Sequence, residues 1–245
     1  MIRNLLLISN STNAGEEYLA WPRTHIQEFL KEYGVQRVLF VPYAGVNLTA
    51  ESVAKSFDLY EERVKKIFRE MGIVLYSIHR EANPVVAVNE AECIMVGGGN
   101  TFHLNMLMQE FGLMDAIRRK ISRGIPYVGW SAGANVACPT MKTTNDMPIC
   151  EPPTMNCLKL VPFQINPHYL DANPEGHAGE TREQRIMEFL TVNRETTVVG
   201  LREGCLLKVT GDRMELVGKR PLRVFRFGKE PLELQPGDDV NFLLT

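Results

Sequence analysis

The chain has 245 residues, 44% hydrophobic and 23% charged, and 27 Lys and Arg against 29 Asp and Glu leave a net charge of −2. That is an ordinary globular balance; it lacks the positive excess that nucleic-acid binding requires, so the expected partners are small molecules. Cys93, Cys138, Cys150, Cys157 and Cys205 are odd in number and show no Cys-x-x-Cys spacing, which suggests neither a disulfide framework nor a zinc site.

The opening stretch MIRNLLLISNST has too short an apolar run for a signal peptide or membrane span, so a reducing cytoplasm is the expected compartment. Leu-, Ile- and Val-rich runs at 5–9, 37–41, 73–77, 93–96 and 126–130 predict strands. Helices are predicted between them at 24–33, 59–71, around 84–91, at 101–111 and at 114–123. In 59–71 the residues Tyr60, Val64, Ile67, Phe68 and Met71 recur at helical spacing, and Gly72 supplies the stop. Such alternation predicts a doubly wound, mostly parallel α/β sheet with helices on both faces. No linker or repeat divides the chain, so 1–245 reads as one domain. Prolines 139, 148, 152 and 153 mark a long loop, followed by a strand at 158–165, a helix at 181–190 and a strand at 196–201. From Cys205, CLLKVTGDRMELVG sets Gly-Asp between two apolar runs, a hairpin signal, and RVFRF is expected to extend it into a small antiparallel C-terminal sheet.

Gly129-Trp-Ser-Ala-Gly133 matches G-x-S-x-G, a pattern that arises by chance in roughly one chain in ten of this length. Its placement therefore decides. It directly follows a predicted strand and opens a small-residue helix, as a nucleophile elbow requires, with the Ser131 hydroxyl and Ala132 N–H near a helix N-terminus. The bland alternative is a tight strand–helix turn. VGGGNTF (96–102) fails the G-x-G-x-x-G dinucleotide pattern because Phe102 stands sixth. Its bare amides suit an oxyanion hole, with Gly98 or Gly99 as partner to Ala132, against a simple packing turn before the helix that Asn100 opens.

Among the histidines at 25, 79, 103, 168 and 177, His168 in FQINPHYL ends an apolar strand, at the edge where open α/β sheets gather ligands. His177, between glycines, is the runner-up, and His79 reads as a solvated turn. Glu203 follows the strand TVVGL and would orient the base; Asp146, in TTNDMPI, competes as third member or as a substrate-side group. The order Ser…His…Glu departs from that of α/β-hydrolases, and chymotrypsin-like and subtilisin-like enzymes place serine last.

With these motifs the chain resembles the class I glutamine amidotransferase-like fold, in which most members carry cysteine at the elbow where this chain has Ser131. In detail it is similar to the peptidase E family of α-aspartyl dipeptidases. The similarity lies in LLLISNST (5–12), VPYAGV (41–46), VGGGNTF (96–102), GWSAGANVACPT (129–140), TTNDMPI (143–149), QINPHY (164–169), EGHAGETREQRI (175–186) and VVGLREG (198–204), and only loosely beyond 205. The resemblance implies hydrolysis of dipeptides with N-terminal aspartate by a Ser131–His168–Glu203 triad; on the reading of the bare amides, Gly99 and Ala132 are the expected oxyanion hole. The resemblance also points to Arg182 as ligand of the aspartyl carboxylate; Asn100 and Asp146 are expected on the substrate side. No metal or cofactor is implied, and the protein is expected as a monomer or homodimer. One departure stands out: family members carry proline where this chain has Arg202, a cation expected to perturb Glu203. The rival readings are a same-fold hydrolase of another aspartyl-linked substrate, cyanophycin-type or β-aspartyl, and a non-catalytic binding protein.

Overall fold

The computed structural model describes residues 3–173, 175–176 and 178–245. Its strands are β1 (Asn4–Ile8), β2 (Arg37–Val41), β3 (Val74–Ser77), β4 (Ile94–Val96), β5 (Tyr127–Trp130), β6 (Gln164–Tyr169), β7 (Val198–Arg202), β8 (Cys205–Thr210), β9 (Arg213–Gly218), β10 (Leu222–Phe225) and β11 (Leu232–Leu234). Its α-helices are α1 (Arg23–Glu32), α2 (Val53–Glu70), α3 (Pro84–Glu90), α4 (Thr101–Glu110), α5 (Leu113–Ser122), α6 (Ala132–Asn135) and α7 (Arg182–Val192).

Seven strands form the main sheet in the order β3-β2-β4-β5-β1-β8-β9, the first five parallel and the last two antiparallel. Its central strands are apolar on both sides because both sides are covered. Alternate residues of β1 divide accordingly: Leu5 and Leu7 join one buried cluster with Leu104, Ile117 and Val136, while Leu6 and Ile8 join another with Phe29, Tyr60 and Phe68. Helix α2 begins well before the predicted residue 59, because the Ser52 side chain caps it by accepting from Lys55 N–H at 3.0 Å. Its inward stripe is Phe57, Tyr60, Val64, Ile67 and Phe68.

The predicted C-terminal hairpin forms, as β8 and β9, yet it joins the main sheet rather than a sheet of its own. β8 pairs with β1 from Asn4↔Thr210 to Ile8↔Leu206, covering what would otherwise be an exposed edge of a fully buried strand. The RVFRF segment supplies β10, which pairs with β7 and β11 instead of with the hairpin. The small second sheet, in the order β11-β10-β7-β6, therefore mixes a parallel β6–β7 pair with antiparallel ones. The strand expected at 158–165 starts only at Gln164. Residues 158–163 are mostly buried but irregular: Leu158 N–H donates to Val136 O at 2.9 Å, Lys159 has φ 55°, and Pro162 has no N–H for a ladder. Among the described residues no helix is long and apolar enough to cross a membrane.

Candidate active site

Ser131 follows β5 directly, with φ 53° and ψ −112°, a backbone state that a non-glycine residue holds only when its surroundings enforce it. Here Ser131 N–H donates to Ile8 O at 2.9 Å, while its carbonyl accepts the Ala134 and Asn135 amides at 3.0 Å each. Both flanking glycines are needed for close approach: a Cβ on Gly129 would lie 2.4 Å from Gly133 O, and one on Gly133 would lie 2.1 Å from Val96 O. The helix after the elbow has only four residues, so its dipole is that of a single turn.

The Ser131 hydroxyl lies 2.9 Å from His168 Nε2, and His168 Nδ1 lies 2.7 Å from Glu203 Oε1. A carboxylate can only accept, so it fixes the Nδ1–H tautomer and leaves Nε2 free to take the serine proton. His168 owes its aim to a bulge. The β6–β7 register slips between Pro167 and Tyr169, His168 takes φ 53°, and its N–H donates to Ser9 Oγ at 3.0 Å while Ser9 donates to Leu201 O at 2.7 Å. Ser9 thus ties β1, β6 and β7 together; one serine in an apolar run gave no sequence signal of this. Past Glu203, Gly204 turns at φ 76° and its N–H donates to Asn10 Oδ1 at 2.8 Å.

Arg202 turns away from its neighbour Glu203, against expectation. Nε donates to Asp171 Oδ2 at 2.9 Å, Nη2 to Asp171 Oδ1, and both Nη atoms to Glu233 at 2.9 Å, with Nη1 also reaching Pro221 O at 2.7 Å. Two carboxylates neutralise this largely buried cation, and the Glu203–His168 contact stays intact.

The glycine loop faces the elbow. Gly97 N–H is spent on Val41 O and Asn100 N–H on Ala44 O. Gly98 O accepts from the Tyr60 hydroxyl at 3.0 Å, and across a trans peptide the Gly99 N–H then points the opposite way. Gly99 sits at φ 133°, and a Cβ there would lie 2.1 Å from Ala44 O. Tyr60 is anchored in turn: its hydroxyl lies 2.9 Å from that of Tyr18 and accepts from Trp130 Nε1 at 3.1 Å.

Arg182, first residue of α7, lines a small cleft with Ser131, Ala132, Asp146 and His168. It is half-buried; burial, with Arg185 nearby, pulls its pKa below the ordinary value, and the Asp146 charge partly opposes this. Among the described residues no carboxylate pairs with it. Asp146 Oδ2 accepts from Thr101 N–H at 2.7 Å, Thr101 Oγ1 at 2.6 Å and Thr144 Oγ1 at 3.0 Å, so it anchors the start of α4 and stands apart from the His168 ring nitrogens. The Asn100 side chain caps α4 through His103 N–H at 3.1 Å and donates to Met147 O at 2.8 Å. It borders the cleft, but its amide is occupied.

The other histidines lie elsewhere. His25 packs edge-on against Trp21, and His103 Nδ1 donates to Tyr43 O at 2.7 Å. His79, rather than a solvated turn, is largely buried between Ser77 Oγ at 2.6 Å and Asp58 Oδ1 at 3.2 Å. That arrangement imitates a triad, but Ser77 is buried and its hydroxyl also reaches Phe40 O. His177 lies outside the described residues. Cys138, the first cysteine after the elbow, is buried with its thiol pushed up to about 12, and its sulfur accepts from Ile165 N–H at 3.1 Å.

Residues 5–217 match the model of peptidase family S51. Peptidase E of Nostoc sp. is 48% identical over 244 residues, spanning 100% of this chain and 98% of the relative. Peptidase E of Streptomyces coelicolor is 45% identical over 242 residues, spanning 98% and 95%. The crystal structure of a peptidase from an acI-B1 actinobacterium shares the fold, with a TM-score of 0.70 over 98% of this chain and 97% of that one at 15% identity. These matches bear out the resemblance drawn from the motifs: the chain is a serine peptidase and belongs to peptidase family S51.

Proposed function

We propose that this protein hydrolyses dipeptides with an N-terminal aspartate, using Ser131 as nucleophile, His168 as general base and Glu203 as its orienting carboxylate. The observation that carries the reading is the continuous relay from the Ser131 hydroxyl to His168 and Glu203, at 2.9 and 2.7 Å. His168 Nε2 takes the hydroxyl proton as Oγ adds to the scissile carbonyl, and Glu203 holds the resulting imidazolium. The Gly99 and Ala132 amides face the oxyanion. Collapse of the tetrahedral adduct breaks the C–N bond and passes the proton from His168 to the leaving amine. Water, deprotonated by the same imidazole, then releases aspartate from the acyl-enzyme.

Arg182 supplies selectivity. A half-buried guanidinium that no carboxylate among the described residues pairs with is matched by the two oxygens of an aspartyl side chain. Ser131→Ala should lower kcat by at least about 10⁴-fold while the protein stays folded. Arg182→Ala should lower kcat/KM for Asp-peptides about 100-fold and for Asn-peptides less than about 3-fold, the span of a charge-assisted pair. Equal losses on both substrates would make Arg182 a structural residue and remove the case for aspartate.

A further inference from the structure

Ser131 lies where two clefts meet. The smaller, about 220 Å³, holds Arg182. The larger, about 540 Å³, shares Ser131, Asp146 and His168 with it but not Arg182. Among the described residues lining this larger cleft, the only permanent cation is Arg63, on α2. The nearby Glu61 is committed to Arg80 and Lys65, and among the described residues no carboxylate pairs with Arg63. Its guanidinium instead lies over the Tyr18 ring, 5.4 Å from the centroid. An aromatic face orients a guanidinium without using up its N–H donors, so the fork stays available in the plane of the group.

The position of Arg63 follows from the helix. Tyr60 and Arg63 are three residues apart and so neighbours on one face, with Cβ atoms roughly 5–6 Å apart. Tyr60 reaches the carbonyl of Gly98 at 3.0 Å and Tyr18 at 2.9 Å, which fixes that face of α2 against the glycine loop. One extended residue spans about 3.3–3.6 Å. A peptide whose scissile carbonyl sits at Ser131 and whose leaving residue enters the larger cleft has its terminus, one residue on, in the cleft that Arg63 lines. The walls on the way include Val46, Leu48 and Tyr18, which suit side chains of many shapes.

We propose that Arg63 receives the C-terminal carboxylate of the leaving residue and so selects dipeptides over longer or C-terminally blocked substrates. An Asp-X dipeptide carries two carboxylates, one on each side of the scissile bond, and each cleft presents one guanidinium that no carboxylate among the described residues pairs with. This assignment rests on the aspartyl dipeptidase reading above.

The test compares Asp-Leu with Asp-Leu amide, measuring kcat/KM for both in the wild type, Arg63→Ala, Arg63→Lys and Arg63→Glu. The readout is the acid-to-amide ratio within each protein, which cancels any general loss of folding or activity. The ratio should exceed one in the wild type and fall about tenfold in Arg63→Ala, chiefly through KM. Arg63→Lys should retain part of it, and Arg63→Glu should push it below the Ala variant. A ratio that stays within twofold across the series, with normal wild-type turnover, would overturn the role of Arg63 alone. Failure of the wild type to cleave either Asp-Leu substrate would overturn the aspartyl reading and this assignment with it.

Discussion

Replacing Gly99 with alanine tests the glycine loop as a source of transition-state stabilisation. The added Cβ would fall 2.1 Å from Ala44 O, whereas real Cβ contacts essentially never come under 3.0 Å, so the two backbones must part by about 0.9 Å. The native φ of 133° is also one that an L side chain resists, so the peptide must rotate as well as move. Neither shift is easily absorbed, because Ala44 O is itself held by Asn100 N–H at 2.8 Å and Gly98 O by Tyr60. An oxyanion donor displaced by this much loses its aim, and removal of one such donor costs about 10²–10³ in kcat, or roughly 3–4 kcal/mol. The assay is steady-state hydrolysis of an aspartyl p-nitroanilide, with melting temperature measured on the same samples. Gly34→Ala is the control: its φ of 64° imposes strain, but nothing lies within 4 Å of the new Cβ and the site is remote. That variant should melt lower with kcat unchanged. If Gly99→Ala keeps kcat within about threefold of wild type, the Gly99 amide does not face the oxyanion and the reasoning fails.

Two further outcomes are expected. Tyr60→Phe removes the donor to Gly98 O and one acceptor of Trp130 Nε1; it should cost about 1–3 kcal/mol in urea unfolding and lower kcat without selectivity between acid and amide substrates. Asp171 is held below the ordinary carboxylate range, chiefly by its hydrogen bond to Arg202. Because the folded-state pKa is depressed, its contribution is present above the unfolded value near 4 and is lost as pH falls through the folded value. In Asp171→Asn the melting temperature should therefore be lower at neutral pH and fall less steeply below about pH 4; parallel wild-type and variant curves would refute the linkage.

The central sheet was legible in the amino-acid sequence because burial on both faces writes itself as continuous apolar runs. The run at 37–41 coincides with β2, and the runs near β1, β3, β4 and β5 differ from them by a residue or so at their ends. The same rule misled at 158–163, where Leu158, Leu160, Val161 and Phe163 are buried by irregular backbone rather than by a ladder. Apolarity reports burial, and only ladder geometry reports a strand. At the site, Ser131, His168 and Glu203 each follow or end a predicted strand. Ser131 follows β5 of the main sheet, while His168 and Glu203 stand at the ends of β6 and β7 in the second sheet, so the carboxyl ends of strands from two sheets meet there. Ser9 ends the run at 5–9 and Arg202 follows the strand predicted at 196–201, yet nothing local marked their contacts or those of Arg63, Asp171 and Glu233. Each acts through a partner distant in sequence, as Ser9 does with His168, and no local spacing encodes a contact of that kind.

The Ser131–His168 pair has one more consequence. Both ends of that hydrogen bond sit at φ 53°, a conformation that costs a non-glycine residue of order 1–3 kcal/mol. Glycine at either position would relax the backbone and, in the proposed mechanism, erase a reacting group in the same step. A campaign to harden this protein by screening on melting temperature alone would be drawn to positions 131 and 168, and the hardiest chains it returned would be inert.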